Sequence, residues 1–318
     1  MRRRIGLVAA GMAALMAIPL AAHADDDLEE MLEIAVSGEF HGTGVLMCSW
    51  GDQSAASTYE VTRSDGVSMV HGPSGDLMVS GTASATRSGT EWYGMEVGRT
   101  SEWALSDRYT MTEPRRITRM GRDAGEVFIM DGAMVRARLI VDTESGVPLL
   151  TEIFDGNGEI FRVAAMLEFA AGDVDMGDMP DMADMERSPM QPMSSTVDHR
   201  ETSLPVLIAG YRLSDSYPGG QGVIQVYYSD GLFSFSVFES KRTATPAAFK
   251  SARIMEIDGS LYRTLVTPSN IWVQWHAPDN TYVLVGDLPP DHLREALAEL
   301  PEPGERAFFV RLWRRLFG

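Results

Sequence analysis

Between residues 126 and 169 apolar and polar side chains trade places at nearly every step, and this alternation constrains the fold more than any other feature of the chain. Val135, Ala137, Leu139 and Val141 fall on one side of an extended strand, with Arg136 and Arg138 on the other. Asp142-Thr143-Glu144-Ser145-Gly146 supplies turn chemistry, Leu149 to Phe154 returns, and Asp155-Gly156-Asn157-Gly158 turns the chain again. Phe161, Val163, Ala165, Leu167 and Phe169 then alternate with Arg162 and Glu168. A period of two broken by turn residues predicts an antiparallel meander with one buried and one wetter face. The buried face offers Val135, Leu139, Phe161, Val163 and Leu167 as candidate lining for an apolar cavity.

Earlier in the chain, residues 45–50, 59–62 and 67–71 read as short strands, and residues 26–37 read as a helix stopped by Gly38. Residues 171–200 break the pattern: Asp, Met, Pro and Ser dominate, and the composition predicts a flexible acidic linker. A second β region follows, with strands expected at 223–228, 232–238, 254–257, 261–266, 271–277 and 282–285. Asp291 is expected to cap a helix from His292 to Leu300, ended by Pro301. The fold class is therefore mainly β (α+β): an N-terminal open antiparallel half-barrel around a helix, then a smaller C-terminal antiparallel β domain with a helix. The expected divisions are a signal peptide at 1–24, domains at 25–170 and 201–302, the linker between them, and a tail at 303–318.

The leader follows from residue order. Arg2, Arg3 and Arg4 precede the apolar run Ile5 to Ala21, and Ala22-His23-Ala24 forms a small-x-small cleavage site. This predicts export to the periplasm or the extracytoplasmic face of the cell membrane. Loss of the three arginines takes the formal charge from −18 to −21, a surface that repels phosphate and excludes nucleic acid as a partner. Cys48 is the single cysteine, so no internal disulfide exists, and its apolar run predicts a buried thiol. There is no G-x-S-x-G elbow, P-loop, H-E-x-x-H or dinucleotide glycine pattern, and no histidine pair at ligand spacing. The chain is expected to be no enzyme, with no catalytic residue, cofactor or metal site assigned.

Two segments admit two readings each. Met176, Met179, Met182 and Met185 recur every third residue; thioethers suit Cu(I), and a solvated acidic linker tolerates methionine equally. In the tail, Arg311, Trp313, Arg314 and Arg315 lie on a two-faced stretch that fits either an anionic membrane interface or docking on its own domain.

Three sequence stretches resemble the RseB/MucB family. Tyr227-Tyr228-Ser229-Asp230-Gly231-Leu232-Phe233-Ser234-Phe235-Ser236-Val237-Phe238-Glu239 resembles its C-terminal hairpin, and Val285-Gly286-Asp287-Leu288-Pro289-Pro290 with the following helix resembles its ending. Ile117 to Arg122, then Arg138-Leu139-Ile140-Val141-Asp142 and Ser145-Gly146-Val147-Pro148-Leu149, is similar to the family's first domain, with Val147 where leucine is usual. The resemblance implies a lipoprotein-carrier-like half-barrel with room for a lipid or acyl-chain ligand. It also implies a partner: the extracytoplasmic domain of a membrane anti-sigma factor, which the family shields from proteolysis in the envelope stress response until a lipidic signal releases it. The family has no catalytic residues to carry over. A lipid or lipoprotein carrier is the alternative, and a copper-binding exported protein the third reading.

Overall fold

The computed structural model describes residues 39–172, 202–241, 249 and 251–304, apart from 65–66, 73–74, 81–82, 89–90, 97–106 and 219–221. The leader, the helix expected at 26–37, residues 173–200 of the linker and residues 305–318 of the tail, with Arg311, Trp313, Arg314 and Arg315, lie outside the described residues.

Two open antiparallel sheets make up most of what is described. The first contains β1 (Phe40–Trp50), β2 (Gln53–Ser64), β3 (Val67–Gly72), β4 (Gly75–Ser80), β5 (Ala83–Ser88), β6 (Glu91–Glu96), β7 (Tyr109–Met111), β8 (Arg115–Arg119), β9 (Arg122–Asp131), β10 (Met134–Asp142), β11 (Pro148–Phe154) and β12 (Ile160–Ala171). Its order is β6-β5-β4-β3-β2-β1-β12-β11-β10-β9-β7, with β8 also on β9, so the sheet ends in two edges instead of closing. The second contains β13 (Leu207–Ile208), β14 (Tyr211–Pro218), β15 (Val223–Ser229), β16 (Ser234–Ser240), β17 (Arg253–Ile257), β18 (Ser260–Val266), β19 (Ile271–His276) and β20 (Thr281–Gly286). Its order is β13-β14-β15-β16-β20-β19-β18-β17. The single helix among the described residues, α1, spans Pro290–Glu299.

The inner face of the first sheet follows from β1, where Phe40, Leu46, Cys48 and Trp50 alternate with more open positions. Its two ends pack differently. Cys48, Ile153, Ala137 and Ile129 lie in one row across β1, β11, β10 and β9, and they join a cluster that continues into Val226, Tyr228, Phe235, Val273 and Leu284 of the second sheet and Leu293 and Leu297 of α1. At the far end Phe40, Leu46, Tyr59, Val61 and Met166 form a cluster of the first sheet's own. Gly44 makes that possible: a Cβ there would stand 2.3 Å from the Tyr59 ring, which lies flat across the strand and donates its hydroxyl to Met166 Sδ at 3.6 Å.

Two details of the expected organisation change. The helix begins at Pro290, and its N-cap position, Pro289, has no side-chain cap. Asp291 is therefore inside the first turn, where proline at the first helical position replaces a capping side chain. Strict alternation also fails in β10, β11 and β12, because four bulges insert an unpaired residue: Arg136 in β10, Leu149 in β11, and Phe161 and Leu167 in β12.

Candidate functional site at the junction of the two sheets

The bulges decide where the candidate lining residues go. Leu139 is buried in the cluster shared by both sheets, and so is Phe161, the extra residue of its bulge. Val163 pairs with Met47 and Glu152, on the opposite pleat to Cys48 and Ile153, and packs against the far cluster. Val135 pairs with Met130 while Ala137 pairs with Ile129, so the bulge separates it from the Leu139 pleat, and it is half-buried. Leu167, the other bulged residue, is 56% exposed. The five residues thus do not form one continuous lining. Cys48 is fully buried, and burial pushes its thiol up to about 12 against the pull of Arg162, which leaves it an inert packing group.

What the fold brings together instead is a set of charged side chains between the sheets. Three arginines come from the first sheet side, Arg108, Arg136 and Arg162, and three carboxylates from the second, Asp230, Asp287 and Asp291. Arg136 was expected on a wetter face; as the bulged residue of β10 it is re-aimed inward, with only 4% of its side chain exposed. Its Nη1 donates to Asp291 Oδ2 at 2.7 Å, in the first turn of α1. Gly156, in the turn between β11 and β12, allows this approach, since a Cβ there would lie 2.7 Å from that same Asp291 oxygen. Arg162 donates to Asp287 Oδ2 at 3.4 Å and to the Ser269 carbonyl at 3.3 Å, both side chains being buried.

The two acids in the family-like motifs each hold a turn and a partner at once. Asp230 Oδ1 accepts the backbone N–H groups of Leu232 and Phe233, fixing the Ser229-Asp230-Gly231-Leu232 turn, while its Oδ2 accepts the Tyr109 hydroxyl at 2.6 Å. Asp287 Oδ1 accepts the Ser234 N–H at 2.6 Å, and its Oδ2 meets Arg162. Burial pushes both carboxyls above their ordinary value, outweighing the hydrogen bonds that pull them down. At Asp291 burial also pushes up, but the Arg136 hydrogen bond and charge win and its carboxyl lies below the ordinary value.

His292 sits at the centre of the array, fully buried. Arg108 Nη2 lies 2.9 Å from its Nε2, and Tyr211 Oη lies 2.6 Å from its Nδ1. A guanidinium only donates, so Nε2 must be the acceptor and the single ring proton is on Nδ1, donated to Tyr211. Burial first, then the Arg108 and Arg136 charges, lower its pKa to about 4. The neutral ring is locked on both sides and has no free nitrogen for acid–base work. Among the described residues no three His, Cys, Asp or Glu side chains could hold a metal ion. Arg136 Nε, Arg162 Nε and Asp291 Oδ1 are buried without hydrogen-bond partners. A junction of one short ion pair and one long one, with buried polar atoms left unsatisfied, is specific in register but modest in net cohesion.

A lighter seam runs elsewhere along the contact. Gln53 Nε2 donates to Thr264 Oγ1 at 2.8 Å, and Arg253 pairs with Asp52 at 2.6 Å with both side chains exposed. Nothing local in the sequence marked Arg108, Tyr109, Tyr211 or His292 as site residues; Asp230 and Asp287 stood within recognisable motifs, where Asp230 read only as a turn residue.

No family model matches the chain, and no curated protein matches its sequence. Solved structures do. MucB in the complex of Pseudomonas aeruginosa MucA and MucB is 19% identical, with a TM-score of 0.50 over 88% of this chain and 99% of that one. Another structure of MucB, in complex with MucA(peri), is 19% identical over 87% of this chain and 98% of that one, at a TM-score of 0.46. A LolA superfamily protein from Nitrosomonas europaea matches over 51% of this chain at 12% identity and a TM-score of 0.25. What this chain has in common with MucB is its fold, mostly antiparallel β in two open sheets with a helix closing the second.

Proposed function

We propose that this chain is an exported, non-enzymatic regulator that binds the extracytoplasmic part of a membrane anti-sigma factor, shields it from proteolysis and releases it on a lipidic signal. The observation that carries this reading is the extent of the MucB likeness: it spans both sheets, and MucB is a protein solved in complex with MucA. A carrier that only sequesters an acyl chain needs one sheet; a second sheet tied to the first by buried ion pairs favours a body whose two parts report on each other. In this reading 25–170 and 201–302 act as the two parts, joined through 171–200. The carrier alternative draws on the same inner face, but Tyr59 and Met166 fill part of it.

The test looks for a single-span anti-sigma factor encoded beside the gene and mixes its extracytoplasmic domain with the mature chain. Co-elution on size exclusion, and slower digestion of that domain by an added protease, are expected. Added long-chain fatty acid or lipid A should dissociate the complex. A folded chain that neither co-elutes with the domain nor protects it overturns the proposal.

A further inference from the structure

We propose that the outer edge of the first sheet, the β8–β9 hairpin, is a docking strand for an extended acidic segment of a partner protein. Residues 115–122 read Arg-Arg-Ile-Thr-Arg-Met-Gly-Arg: four arginines and no acid within eight residues, in a chain with 45 acids against 27 cations. β8 pairs with β9 along one side, and no other described strand pairs with it. Its backbone edge is open: Arg115, Arg116 and Thr118 are exposed, and the Arg115 side chain is 72% exposed.

Cationic side chains on an edge strand can serve simply to discourage pairing. Here the charges are also locally out of balance. Arg119 stands directly across the ladder from Arg122, and like charges at opposed positions destabilise a sheet. Arg122 has its own partners, Asp142 at 2.7 Å and Glu144 at 2.6 Å, and its guanidinium lies 5.2 Å over the Phe169 ring. Arg115 shares the buried Glu126 with Arg138. Arg116 and Arg119 have no carboxylate among the described residues within ion-pair distance, and Arg119 Nε is buried with no hydrogen-bond partner. At the hairpin tip Met120 takes a φ of 54° beside Gly121 at 74°, a left-handed position that costs a non-glycine residue energy and leaves Met120 39% exposed.

The features fit one occupant. An open strand edge offers backbone donors and acceptors to a second strand. Period-two geometry puts Arg115, Ile117 and Arg119 on one side of β8 and Arg116 and Thr118 on the other. A segment with carboxylates opposite Arg119 on one side and Arg116 on the other, and an apolar residue opposite Ile117, matches this edge, and guanidinium–carboxylate pairs are strong when bidentate. A lipid headgroup would neutralise the arginines but leave the backbone edge unpaired. The inference holds for any acidic partner and does not depend on the anti-sigma reading.

The experiment uses the full mature chain and a short fluorescein-labelled peptide with the core Glu-Thr-Val-Glu, whose two carboxylates fall on opposite sides of an extended strand with a valine beside one of them. Saturable binding that weakens with salt is expected, together with slowed amide exchange at residues 115–119. Arg116→Glu with Arg119→Glu should weaken binding by at least about tenfold, without shifting the melting temperature, while Arg253→Glu on the second sheet leaves it unchanged. Should the double reversal unfold the chain, Arg116→Gln with Arg119→Gln replaces it and should weaken binding in the same direction. Binding that the variants do not change, equally tight binding of the same peptide with lysine for glutamate, or no exchange protection in β8 overturns the proposal. Capture by phosphatidylglycerol vesicles with the same dependence on Arg116 and Arg119, without peptide binding, also overturns it and assigns the edge to a membrane.

Discussion

Two arginine–carboxylate networks in this molecule use the same groups to different ends. On β8, β9, β10 and β11, Arg115 and Arg138 share Glu126, and Arg138 also reaches Glu152 at 2.9 Å. All four are within one sheet, on neighbouring strands. At the junction, Arg136 reaches Asp291 and Arg162 reaches Asp287, each pair joining separate sheets. Glu126 is buried, but two arginines outweigh that burial and hold its carboxyl below the ordinary value. Asp287 is as deeply buried, has one arginine at 3.4 Å, and its carboxyl is pushed up. The first network is solved locally; the second leaves electrostatic tension that only correct docking of the sheets relieves.

The largest test of this contrast removes one arginine from each network. Arg162→Ala leaves Asp287 buried with no cation and should cost about 3–5 kcal/mol by denaturant unfolding. Arg138→Ala leaves Glu126 with Arg115 and should cost much less. Equal losses would show that the two networks do not differ as their geometry implies. An Arg162→Met, Asp287→Asn pair should recover part of the Arg162→Ala loss.

The next effect is in pH. His292 titrates near 6.5 when unfolded and about 4 when folded, so between these values the unfolded chain binds the extra proton. Stability from this group is therefore complete above pH 6.5 and is lost as pH falls to 4, by roughly 3 kcal/mol in all. Asp230 and Asp287, with raised values, act in the opposite sense above their ordinary carboxyl range and blunt the loss. His292→Gln should flatten the slope of unfolding free energy between pH 6.5 and 4; a slope that persists would place the acid sensitivity elsewhere.

Smaller again, Tyr109→Phe removes one hydrogen bond to Asp230 while Leu232 and Phe233 still bind that carboxylate. A loss of about 1–2 kcal/mol is expected. Smallest, Arg253→Ala breaks the exposed pair with Asp52 and should stay within about 0.5 kcal/mol by the same assay. A larger loss would show that the outer seam, and not the buried array, holds the sheets together.

The strands were legible where the alternation was clean. Residues 135–169 gave the three strands β10 to β12 because a half-buried sheet imposes a period of two. β4, β5 and β6 went unread: Gly75 to Glu96 is rich in Ser, Thr, Ala and Gly, whose small side chains leave little contrast between faces. β14 was missed for a related reason, since Arg212, Ser214 and Ser216 interrupt it. The junction was illegible on other grounds. Arginine in a strand reads as solvent-facing, and nothing local distinguishes Arg138, on a ladder of its own sheet, from Arg136, turned inward by a bulge to meet a helix 155 positions away. The same bulges scattered Val135 and Leu167 from the pleat that Leu139 occupies.

The span of those junction contacts along the chain has a consequence for the order of assembly. Tyr109 and Asp230 are 121 positions apart, Arg162 and Asp287 125, and Arg108 and His292 184. The first sheet's hairpins, by contrast, close between neighbours in sequence and can zip early. Because Asp287, Asp291 and His292 follow both sheets in the chain, Arg136 and Arg162 are made long before the carboxylates of the second sheet that receive them, and until then Asp131 of β9, 2.8 Å from Arg108 and 3.4 Å from Arg136, is the acid their own sheet offers. Until α1 arrives, the face that will become the junction is a strip of apolar side chains studded with cations, open to any acidic surface in its surroundings. Docking α1 is thus the step that ends the exposure of this face, and a chain cut short before residue 287 would keep that face open for its whole lifetime.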